Sequence, residues 1–210
     1  MERVMPVLII WVIPLLGAVI SALFIRRVRL FSVFYLIGML LCLLAGPVNL
    51  VLYRSCGEDI PYLVTTLTPV SEELLKMAPV LFFACVIDPE RRGLLIISFA
   101  VGSGFAFTES AVVLYQHLDT ATARWALFRL LGASVMHSTC TAAVGMAIGF
   151  ISRRKKLFYC GTLAAFVGAV IYHATFNALI ISEYEIYGYF LPILLILPLL
   201  VRRYAFGEKQ

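Results

Sequence analysis

Apolar stretches of membrane-spanning length follow one another along almost the whole chain, and a soluble fold of this size has nowhere to hide them. A spanning helix needs about 20 mostly apolar residues. Stretches at or near that length run over residues 6–25, 30–53, 61–87, 93–116, 125–151, 157–181 and 187–201. Within lipid a backbone has to satisfy its own hydrogen bonds, and apolar runs of this kind do so as helices. The sequence therefore predicts an all-α, polytopic transmembrane bundle of seven spans. It reads as one membrane domain over 1–210, with no internal repeat and no separate soluble part. The 62% hydrophobic share of the chain stands well above the roughly 45–50% of soluble domains.

Lys and Arg orient the bundle. Alternate loops and ends carry Arg26, Arg27, Arg29, Arg91, Arg92, Arg153, Arg154, Lys155, Lys156, Arg202, Arg203 and Lys209, twelve in all, while the opposite set carries only Arg3, Arg54 and Arg124. The richer side belongs in the cytoplasm. The N-terminus is then expected outside and the C-terminus inside, in a plasma membrane. The poorer side is acidic, with Glu58, Asp59, Asp119, Glu183 and Glu185. Because the positive residues flank spans, the net charge of +5 implies no nucleic-acid partner; the partner is the bilayer. The N-terminal run reads as a retained anchor, since its strong positive cluster follows the apolar stretch. Trp11, Trp125, Tyr115, Tyr187 and Tyr189 suit the membrane interfaces. Five cysteines with no CxxC pair imply no disulfide framework.

Several residues stand where a membrane helix disfavours them. Glu72, Glu73, Lys76, Glu109, Arg129, His137, His173 and Asn177 all fall within spans. A charge at a helix centre costs about 2.5–3.5 kcal/mol on insertion scales, so such groups are expected to face one another or a wet cavity. At about 1.5 Å per residue, Glu72, Glu109, His137 and His173 fall roughly 10–18 Å below the outer boundary. One shared layer points to one site, within a motif-bearing core over 61–181.

Local spacing adds detail. Lys76 follows Glu72 by four residues and Glu73 by three, both of which allow a salt bridge along one helix. Adjacent glutamates point about 100° apart, so only one can aim fully at a given cavity. Thr68 suits a cap and Pro69 a first helical turn. Pro79 removes a backbone hydrogen bond, which predicts a bend or break in this span. Gly102, Ser103 and Gly104, and the pair Gly145 and Gly149, allow close helix approach. Arg129 lies two turns before His137 and can share its face, or serve as an anchor reaching the surface. His173 and Asn177 share a face, four residues apart. His117 reads as solvated, and Cys140 as core filler.

Peptide hydrolysis needs an activated water, donors for a tetrahedral oxyanion and a proton for the leaving amine. A glutamate can act as base and then acid, and His or Asn side chains can donate to the oxyanion. Glu72 or Glu73, with Glu109, His137, His173 and Asn177, supply such groups, supported by Lys76 and Arg129. The same residues suit a divalent metal such as zinc, with Glu72, Glu109, His137 and His173 as ligands; the glutamate route needs no cofactor. No HExxH is present, which excludes a zincin-type helix. Buried Glu and His also serve proton-coupled transporters or channels, but no inverted repeat supports that reading.

In order along the chain, Glu72-Glu73 with Lys76, Gly104-Phe105-Ala106-Phe107-Thr108-Glu109, the Arg129 helix leading to His137, and His173 with Asn177 resemble the PrsW family of intramembrane proteases. That family is related to the type II CAAX prenyl endopeptidase superfamily. The resemblance implies an endopeptidase that cuts a single-span membrane protein, such as an anti-sigma factor, near the extracytoplasmic boundary to start a stress response. It implies Glu72 as the residue activating water. Glu73, Glu109, His137 and His173 would position the water or polarise the carbonyl, and Asn177 would complete the oxyanion contacts. A non-catalytic scaffold subunit of a protease complex, distantly similar to this family, would be expected to lack the paired glutamates that this chain retains.

Overall fold

A computed structural model describes residues 28–87, 91–151 and 155–194. The expected span over 6–25, and the end of that over 187–201, lie outside the described residues, as does Trp11. Every regular element among the described residues is helical. Four helices there are long and apolar enough to cross a membrane: α1 (Arg29–Ser55), α4 (Arg91–Gln116), α5 (Ala123–Ile151) and α6 (Lys155–Ile180). They lie within a few residues of the expected spans 30–53, 93–116, 125–151 and 157–181.

The expected span over 61–87 is helical but is not one α-helix. A short turn, α2 (Ile60–Tyr62), leads into a π-helical turn (Leu63–Leu67), then α3 (Thr68–Phe82), then a second π-helical turn (Phe83–Ile87). Asp59 starts this run by accepting a hydrogen bond from the Tyr62 amide at 2.9 Å, after Gly57 and Glu58 take positive φ to turn the chain. Thr68 does not cap α3: the chain enters already helical, and the Thr68 amide bonds back to the Leu63 carbonyl. Pro69 then has no N–H with which to continue that ladder, so it has none to give to the next carbonyl in the series, Val64. The second π turn begins four residues after Pro79, the proline expected to disturb the span.

α4 and α5 form the centre, with α1 and α6 more exposed beside them. Lipid offers apolar surface no worse than another helix does, so membrane helices associate through close packing at small residues. Gly102 and Gly104 do this on opposite sides of α4, as two residues on a helix lie about 200° apart. A Cβ on Gly102 would strike the His137 carbonyl of α5, and one on Gly104 would strike the Tyr35 carbonyl of α1. Gly145 likewise lets α5 close on Ser98 and Leu94 of α4. Leu94, Ile97, Val101, Met136, Ile148 and Phe176 fill the core between these helices. Leu40, Leu43, Phe99, Leu131, Leu163 and Ile171 face outward, as lipid-facing side chains do.

Candidate active site

α3 projects Glu72, Glu73 and Lys76 into the bundle, and all three are buried. The two glutamates take different directions, as their 100° separation requires. Glu73 Oε1 accepts from Lys76 Nζ at 2.5 Å and lies 2.9 Å from His173 Nδ1. Glu72 turns to a cavity instead. Its Oε1 is reached by Asn49 Nδ2 of α1 at 3.4 Å, and its Oε2 is buried without a hydrogen-bond partner. Lys76 therefore serves Glu73, and of the two expected salt bridges the i,i+3 pair is the one formed.

α5 brings His137 to the same place. Its Nδ1 lies 2.7 Å from Lys76 Nζ, and its Nε2 lies 2.6 Å from Glu109 Oε2 of α4. An ammonium can only donate, so Nδ1 accepts, and Nε2–H donates to the carboxylate. Arg129, two turns earlier on α5, donates to the other oxygen, Glu109 Oε1, at 2.7 Å. Arg129 is thus an ion-pair partner within the bundle and not a surface anchor. Lys76 also sits over the Phe105 ring, 4.7 Å from its centroid, a favourable place for a cation.

α6 supplies His173 and Asn177. The rings of His137 and His173 meet edge to face, with centroids 4.8 Å apart. His173 donates from Nδ1 to Glu73, which leaves Nε2 as an acceptor 3.8 Å from Glu72 Oε2. Asn177 Nδ2 donates to the Val64 carbonyl at 3.0 Å, an acceptor to which Pro69 has no N–H to give. Asn177 thereby ties the first π turn to α6 and keeps a second amide hydrogen.

Glu72, Glu109, Arg129 and Asn177 line one cavity of about 570 Å³, together with Val64, Thr68, Val113, His117, Trp125 and Tyr189. It reaches the end of the bundle that carries the loops after α4 and after α6, where Glu185 stands. His117 is exposed, as expected, but it also forms part of this wall. Cys140 packs in the core with Met136 and Ala169.

Glu72, His137 and His173 each bring a ligand atom within 4.8 Å of the others, a spacing at which they could share a metal ion. Glu109, expected among such ligands, stands outside this group and is engaged by His137 and Arg129. The donor set fits a divalent ion in two respects. Glu72 Oε2 has no partner, and each imidazole carries a carboxylate on one nitrogen, as metal-bound histidines do. Ligation by His137 Nδ1 would require Lys76 to leave it.

The residues singled out in the sequence thus meet, from α3, α4, α5 and α6. Asn49 was missed. Its signal was an amide within the apolar run 30–53, two residues after Pro47, and an uncharged amide is not conspicuous there. A family model described as PrsW family intramembrane metalloprotease matches residues 8–202 of the chain. No curated protein and no solved structure matches it.

Proposed function

Because the chain belongs to the PrsW family of intramembrane proteases, we propose that it is an endopeptidase of the plasma membrane in which Glu72 activates water. The observation that carries this reading is the pair of acceptors facing each other, Glu72 Oε2 and His173 Nε2, 3.8 Å apart, with Glu72 lining the cavity. A water has two hydrogens to give, and this pair is suited to receive both. Glu72 takes one proton as the water oxygen bonds to the scissile carbonyl carbon. The negative charge that develops on the carbonyl oxygen needs donors, and the second amide hydrogen of Asn177 lies on the same cavity wall. Glu72 then returns its proton to the nitrogen, and the C–N bond breaks. Glu73 holds His173 in the tautomer that leaves Nε2 free, while Lys76 and Glu109 fix His137 on both nitrogens.

The proposed substrate is a single-span membrane protein of anti-sigma-factor type. The cavity reaches the loop end bearing His117 and Glu185, which the distribution of Lys and Arg assigns to the extracytoplasmic side. Cleavage is accordingly proposed in the outer half of the bilayer. Purified protein is expected to cut such a substrate near its outer boundary, and Glu72→Ala to abolish cutting with the fold intact. Full activity in that variant would refute the reading.

The unpartnered Glu72 oxygen and the carboxylate behind each histidine favour a second reading, in which Glu72, His137 and His173 hold a divalent ion. When bound, such an ion would supply Lewis-acid polarisation of the carbonyl and of the attacking water. Metal analysis of purified protein, with a chelator arm in the cleavage assay, separates the two: stoichiometric zinc and chelator-sensitive cutting favour the ion.

A further inference from the structure

The carboxylate of Glu72 is also in contact with α1. Asn49 of α1 presents Nδ2 to Glu72 Oε1 at 3.4 Å, the long end of a hydrogen bond. Its other end is held as well: Asn49 Oδ1 accepts from Ser71 Oγ at 3.0 Å. The same hydroxyl lies 3.0 Å from the Thr68 carbonyl, one turn back on α3. Carboxylate oxygens only accept while ionised. An ionised Glu72 therefore takes the NH₂ of the amide, which leaves the amide oxygen toward the Ser71 hydroxyl.

Helix α1 carries Asn49 to Glu72. α1 is locked against α4 where Gly104 meets the Tyr35 carbonyl and where Gly38 meets Val101. Asn49 follows Gly38 by eleven residues, about three turns, so both look toward the bundle interior. One oxygen of Glu72 thus has a hydrogen bond from a second helix, and the other, Oε2, lies 3.8 Å from His173 Nε2. Catalytic hydrogen bonds that are long in the free enzyme commonly tighten in the complex.

We propose that Asn49, with Ser71 behind it, is the positioning residue for Glu72, tying down Oε1 so that Oε2 faces the reacting water. This rests on the reading of Glu72 as the base. Asn49 itself touches neither water nor substrate.

The test uses the full chain in detergent or vesicles, with a dual-tagged single-span membrane protein that the wild type cuts. Asn49→Ala is expected to lower kcat about tenfold with KM little changed, the scale of one hydrogen bond to a charged group. Asn49→Asp has the same size and still accepts from Ser71, but it sets a carboxylate against Glu72; its loss is expected to be the larger, about a hundredfold. Ser71→Ala is expected to fall about threefold, as an indirect support. A merely structural amide predicts a lower Tm with kcat unchanged in the folded fraction, and that result overturns the proposal. So does wild-type kcat in Asn49→Asp, which serves as the readout if Asn49→Ala folds poorly. Glu72→Gln runs alongside. If it cuts normally, the reading of the site fails; if it is inactive while the Asn49 variants cut normally, only this inference fails.

Discussion

Glu72 and Glu73 are neighbours in the chain, yet they belong to two sides of the site built on different terms. On the packed side, Glu73, Lys76, His137, Glu109 and Arg129 form one continuous chain of contacts between 2.5 and 2.7 Å. With the histidines neutral, its charges cancel, Glu73 against Lys76 and Glu109 against Arg129. On the cavity side, Glu72 has an amide on one oxygen and no hydrogen bond on the other. The difference teaches where chemistry can occur. A carboxylate inside an ion pair cannot exchange a proton without stranding its partner, whereas Glu72 can. In the proposed mechanism the packed side supplies shape and the cavity side supplies the reactive group.

The hardest test of that division removes the charge from each glutamate in turn. Glu72→Gln is expected to lower cleavage about 10²–10⁴-fold, the range for loss of a general base, with Tm close to wild type. Glu73→Gln is expected to lower activity and Tm together, because it leaves Lys76 without its carboxylate. If the two variants behave alike in thermal melts and cleavage assays, the division is wrong. Next in size is Lys76→Met. It strands the buried Glu73 and is expected to destabilise by about 3–5 kcal/mol, the usual effect of breaking a buried pair from one side. Combining it with Glu73→Gln is expected to recover part of that stability but not the activity, as measured by denaturation in mild detergent. Smaller again is Gly102→Ala. The added methyl presses on the His137 carbonyl, and overpacking of this kind costs about 1–3 kcal/mol. It tests whether the packed side depends on the α4–α5 seam for its geometry.

What could be read from the sequence follows the same division. Glu72, Glu73, Lys76, Glu109, His137 and His173 were legible because each is expensive in lipid, and spacing alone placed Lys76 with the glutamates and Arg129 on the side of His137. The long helices were legible by length and apolarity. The π turns were not, because their register depends on where freed carbonyls find donors. One donor to Val64 is Asn177, 113 residues away. That Lys76 would choose Glu73 and bridge to His137, and that Arg129 would reach Glu109, depended on how helices from distant parts of the chain meet. Asn49 escaped notice because a neutral amide raises no charge penalty, so only its neighbours reveal it.

Arg129 stands on the boundary between the two sides and gives the smallest and sharpest test. It pairs with Glu109 at 2.7 Å, and Glu109 shares the boundary, since both line the cavity. The two side chains are 11% and 23% exposed, so solvent already screens the pair in part. Arg129→Lys keeps the charge but loses the planar fork. If Arg129 belongs to the packed side, the variant is expected to lose about 1 kcal/mol of stability, with KM unchanged and a small fall in kcat that follows the displacement of Glu109 and His137. A raised KM at unchanged Tm would move Arg129 to the cavity side, as a group that meets the substrate directly. The charge balance of the packed side would then have to be redrawn with Glu109 as a second carboxylate facing the reaction.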